Sequence, residues 1–153
     1  MSLATLCTPR PSVFNIDRRA QVLSLDTFLN NRINGREFFE ENHITQGMDL
    51  LIDRTLRHLH TRSGGSTVFT LSQSMGGGKT HSMIALGLLA QDPTLRQDVL
   101  GAKNPAPTLG AVRTIGFNGR NTDAPGGILG ELGRQLGKQE LVAPYISGVM
   151  SAP

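Results

Sequence analysis

The apolar positions of this chain fall into runs with different periods. Met48, Leu51, Ile52, Leu56 and Leu59 recur at spacings of three and four, which predicts an amphipathic helix from an N-cap at Thr45 to about His60. Asp53 and Arg57 on its other face have the spacing of a weak ion pair. Residues 67–71, rich in β-branched side chains, predict a short strand. Residues 83–89 are apolar around the whole helix circumference, as a helix covered on more than one side should be. Asp92 and Pro93 form a cap and a first helical residue for a short helix ending at Gly101. Residues 110–117 alternate enough to predict a second strand, and residues 128–136 a glycine-weakened helix.

The remaining stretches are less ordered in pattern. Residues 1–15 form a proline-punctuated lead-in. Residues 20–30 fit a short helix as well as a strand and turn. Residues 36–42 predict a short helix docked by Phe38 and Phe39, with Glu37, Glu40 and Glu41 facing solvent. Residues 142–150 show no obvious terminal element, and the chain reads as cut short.

Composition narrows the class. With 153 residues, 38% hydrophobic and 18% charged, the chain suits one compact unit and neither a membrane protein nor a disordered tail. Division falls near residue 60: residues 1–60 as lead-in and helices, and residues 61–153 as a partial nucleotide-binding core. The formal charge of +3 is no nucleic-acid signature. Arg54, Arg57, Arg62 and Arg96 are dispersed and lack an aromatic platform, so strong direct DNA binding is not expected. No apolar run approaches the length of a bilayer span, and no export signal is visible, which makes the cytoplasm the expected compartment. Cys7 reads as an inert thiol, and His43, His58, His60 and His81 do not have zinc-ligand spacing, so His81 is expected to pack or hydrogen-bond.

Between the first predicted strand and the apolar helix stand Gln73, Ser74, Met75, Gly76, Gly77, Gly78, Lys79 and Thr80. Successive glycines let backbone N–H groups converge on an anion, and a following helix adds its own unpaired amides. In that reading Ser74 and Met75 form the rising part of the loop and Gly76, Gly77 and Gly78 the amide cradle. Lys79 reaches the β- and γ-phosphates of ATP, and Thr80 holds magnesium. The phosphate-loop pattern asks for glycine at position 73, where this chain has Gln73. If the two strands are parallel, residues 118–123 share the edge that carries Lys79. Arg120 could then meet a phosphate and Asp123 a metal-bound water, although a helix cap suits Asp123 better.

Residues 9–15, 30–47, 72–89 and 119–125 together resemble the bacterial ATP-binding proteins of domain-of-unknown-function family 499, whose loop also has a triple glycine before lysine and threonine. The resemblance implies an AAA-like ATPase with a P-loop (RecA/AAA-like) α/β fold, a three-layer sandwich around a parallel sheet that is incomplete in this chain. It also implies an antiviral-defence or DNA-modification setting, with DNA methyltransferase or helicase proteins as partners. No paired acids follow Thr80 as a Walker B segment and no arginine finger can be assigned, so efficient hydrolysis is not expected from this chain. The alternative is a structural or partner-binding fragment with a vestigial loop, prone to self-association through uncovered apolar surface.

Overall fold

The computed structural model describes Phe14 and residues 23–61, 68–72, 78–119 and 124–146. In order, the helices are α1 (Leu25–Leu29), α2 (Gly35–Glu41), α3 (Gln46–Thr61), α4 (Lys79–Gln91), α5 (Pro93–Leu100), α6 (Gly127–Leu136) and α7 (Gln139–Ile146), with a 3-10 turn at Gly101–Lys103.

Helix α4 is the centre of the packing. Helices α1, α2, α3 and α5 all contact it, and it buries Ile84, Ala85, Gly87, Leu88, Leu89 and Ala90. From α3 the stripe of Met48, Leu51, Ile52 and Leu56 is buried, as the three–four spacing predicts. The Thr45 cap is also present, with Met48 N–H donating to Thr45 Oγ1 at 3.4 Å. Helix α1 fits tightly because position 87 is glycine. A Cβ there would meet the Phe28 ring at 2.3 Å, so the ring takes the space that any other residue would fill. Phe38 is buried and sets its ring edge-on to Phe39 at 5.1 Å, while Glu37, Glu40 and Glu41 are exposed.

Helices α4 and α5 join at Asp92. Its carboxylate accepts from Thr94 N–H at 2.8 Å and Leu95 N–H at 3.0 Å, with Pro93 as the first helical residue. Arg96 follows, the one charged residue in the core of the described residues and 0% exposed. Its guanidinium donates to Leu89 O at 3.0 Å and to Leu109 O, tying the end of α4 to the chain beyond α5. Its Nε has no partner.

Two expectations fail in this fold. Residues 68–72 and 110–118 carry no regular secondary structure, neither belongs to a ladder, and no strand exists among the described residues. The α/β P-loop sandwich with a parallel sheet is therefore incorrect for this structure. Alternation and β-branching predict extended backbone, but a sheet also requires a second extended run within hydrogen-bonding distance. Here residues 110–118 are held by helices: Val112 N–H donates to Ala90 O at 2.9 Å, and the Gln135 side chain brackets Gly116. The second failure is at the C-terminal side, where Gln139–Ile146 forms a helix with Pro144 inside it. That helix packs on α6.

Candidate functional site

The start of α4 can be built from Gly78 onward. Gly78 has φ 77° and stands as N-cap without a side-chain hydrogen bond, a left-handed conformation that glycine adopts without steric cost. Ser82 returns its hydroxyl to Gly78 O at 3.1 Å. Lys79 and Thr80 open the helix and are half-buried. Gln73, Ser74, Met75, Gly76 and Gly77, like Arg120, Asp123 and Arg62, lie outside the described residues.

Lys79 lines a cleft of about 520 Å³ together with Leu51, Leu59, Phe69, Met83 and Leu86. Its walls come from α3, α4 and residues 68–72, and most of the side chains are apolar. Gly78 borders a separate cavity of about 230 Å³ beside His43, Thr45 and His81. Gly78 and Lys79, which the loop reading brings to the same nucleotide, border these two hollows, and Leu51 and Leu71 line both. Met83 at 41% and Phe69 at 37% are left exposed at the apolar one.

The absence of a sheet among the described residues also overturns the functional reading built on it. A P-loop acts as an anion cradle because a paired strand delivers it to the carboxyl edge of a parallel sheet, where a second strand end completes the crevice. Among the described residues, the backbone groups of residues 68–72 have no hydrogen-bond partner. The ATP-binding AAA-like module, with its P-loop, nucleotide-binding, antiviral-defence and DNA-modification assignments, has no support in this fold. No cluster of three or more His, Cys, Asp or Glu suited to a metal ion occurs among the described residues.

Other assignments fare differently. His81 packs beside Phe38, with ring centroids 6.2 Å apart, in keeping with a packing role. Arg57 and Asp53 pair at 2.7 Å on the exposed face of α3. Arg96 is enclosed in the core, so it cannot belong to a DNA-facing set, and burial pushes its guanidinium below its ordinary pKa while the Asp92 carboxylate opposes the shift. No described helix is long and apolar enough to cross a membrane.

Sequence reasoning passed over a second site, a cleft of about 730 Å³ bordered by Asp26, Arg113, Asn118, Glu131 and Arg134. Glu131 accepts from Arg134 at 2.5 and 2.8 Å and from Gln135 at 2.7 Å, and these bonds, the Arg134 contact foremost, hold its carboxyl down at about 2. Asn118 donates to Asp26 Oδ2 at 2.8 Å. The spacing of Glu131, Arg134 and Gln135 along a helix could have signalled their mutual contacts, but nothing in the sequence places Gln135 against Gly116.

Residues 29–105 match the model of the DUF499 N-terminal domain, half of the chain, and the chain belongs to that family. No curated protein and no solved structure matches it. The matched stretch runs from the last residue of α1 through the 3-10 turn, and so covers α2, α3, α4 and α5.

Proposed function

We propose that this chain is a structural, partner-binding module that docks protein through the apolar cleft between α3 and α4. One observation carries the reading. Helix α4 is apolar around its circumference, yet Met83 is 41% exposed at a cleft that Leu86 also lines. Such a helix is expected to be covered on all sides, and apolar surface left open beside Leu59 and Phe69 favours association. A second copy of the chain is the first partner to test. DNA methyltransferase or helicase proteins, implied by the family resemblance, are the heterologous candidates.

Size-exclusion chromatography with light scattering tests the reading. The wild-type chain is expected to run above monomer mass at high concentration, and Met83→Glu to return it toward monomer with its helical circular dichroism retained. A wild type that stays monomeric at every concentration overturns self-docking. Titration with magnesium ATP is expected to give no heat beyond dilution. A saturable signal that disappears in Lys79→Ala would overturn the docking reading in favour of a nucleotide site.

A further inference from the structure

The cleft between α3 and α4 carries a chemical group that its apolar neighbours lack. Met83 lines it and is 41% exposed, which opens a long, unbranched side chain to small solutes. Leu51, Leu59, Phe69, Leu71 and Leu86 around it are hydrocarbon and resist mild oxidants. A thioether does not: a peroxide converts it to a sulfoxide, a polar and chiral group in place of a flexible apolar one. The other methionine among the described residues, Met48, is 7% exposed and belongs to the core cluster. Both sit on helices, so burial is what separates their access to an oxidant.

The neighbours of Met83 suit both of its oxidation states. Reduced Met83 shares the cleft with Phe69, an aromatic surface of the kind that thioethers favour. Lys79 lies four residues before Met83 on α4 and lines the same cleft, a spacing that puts two side chains on one helical face. A sulfoxide oxygen is a strong acceptor and an ammonium is a donor, so the oxidised side chain has a polar group within reach while the cleft is open. A partner that covers the cleft withdraws the sulfoxide from water, at a cost the thioether does not carry.

We propose that Met83 is a reversible oxidation site that switches the cleft from apolar to polar and thereby releases the docked partner. This switch rests on the docking reading and adds regulation to the same cleft. With hydrogen peroxide as oxidant, the sulfur takes one oxygen atom and loses an electron pair to the new bond, the O–O bond breaks, and the remaining oxygen leaves as water. Reversal by a methionine sulfoxide reductase returns the oxygen as water while two thiols are oxidised to a disulfide.

The test treats the full chain with dilute hydrogen peroxide. Peptide mass spectrometry follows oxygen uptake, light scattering follows self-association, and the dye anilinonaphthalenesulfonate follows exposed apolar surface. Met83 is expected to gain one oxygen well before Met48. That uptake is expected to weaken self-association by about tenfold or more and to lower dye binding, with helical circular dichroism retained. Methionine sulfoxide reductase is expected to restore both. Met83→Leu keeps an apolar side chain of similar volume and is expected to associate and bind dye alike before and after peroxide, which separates Met83 from every other oxidisable residue of the chain.

Oxidation of Met83 no faster than that of Met48 overturns the selective site. Oxidised Met83 that leaves association and dye binding unchanged overturns the switch, and an equal loss in Met83→Leu moves the effect to another residue. A wild type that is monomeric at every concentration removes the docking reading but not the chemistry at position 83. Dye binding that then falls on oxidation in wild type and not in Met83→Leu supports the change from apolar to polar, and unchanged dye binding overturns it.

Discussion

Between residues 23 and 109 the helices bury Phe28, Phe38, Met48, Ile52, Leu56, Ile84, Leu89 and Leu95 in one continuous cluster, whereas beyond residue 109 the described residues bury Gly133 alone. Both regions are helical and both contain apolar side chains. They differ in what those side chains meet. Around α4 most apolar side chains find another helix, so area removed from water accumulates. Helices α6 and α7 pack chiefly on each other, and Ile128, Leu129, Leu136, Leu141 and Ile146 stay exposed. Helical pattern alone therefore does not make a core; the number of partners a helix face acquires does.

Truncation of a core residue is the strongest way to break this contrast. Leu56→Ala removes a side chain that is 0% exposed and is expected to cost about 2–5 kcal/mol in chemical denaturation. Ile128→Ala, at a residue 53% exposed, is expected to stay within about 0.5 kcal/mol. Equal losses at the two positions would mean that α6 belongs to the same cooperative unit.

Arg96→Leu comes next. It leaves the carbonyls of Leu89 and Leu109 without their donor, at an expected cost of about 2–4 kcal/mol. Arg96→Lys should recover only part of it, since an ammonium lacks the planar fork that reaches both carbonyls. Full recovery by lysine would show that charge rather than geometry holds the end of α4.

The smallest effect sharpens the picture of α6. The Glu131 carboxyl is lowered from 4.5 to about 2 in the folded chain by Arg134 and Gln135. Its contribution is therefore fully present above the unfolded value and is lost as the pH falls from about 4.5 through about 2. Acid titration followed by the amide signals of Gln135 and Gly116 should show this transition in wild type and not in Glu131→Gln, while the signals of α3 and α4 stay unchanged by that substitution. A transition that persists in the variant would place its origin elsewhere.

Local instructions were legible wherever neighbours in sequence carry them out. The Thr45 cap, the α3 stripe, the Asp53–Arg57 pair and the Asp92–Pro93 start of α5 all involve residues within about one helical turn, and each appears in the structure. The apolar run that marks α4 was legible for the same reason, but its start at Lys79, inside the stretch read as a loop, was not. What Gly78, Lys79 and Thr80 would serve was not, because a phosphate site depends on a sheet that two distant segments must form together. Gln135 was passed over because its partner, Gly116, lies 19 residues away.

By itself, the sequence determined that the segments of α2 to α6 are helical, where α3 and α5 begin and which face of α3 turns inward. These follow from backbone preference and side-chain period, both set by near neighbours. Only the tertiary structure decided that four helices gather on α4, that Arg96 is enclosed between Leu89 and Leu109, and that a glutamine side chain stands beside the 111–117 run where a strand was expected. Pairing and burial depend on which distant segments meet, and two chains with the same local pattern can satisfy their backbone and cover their apolar surface in different ways.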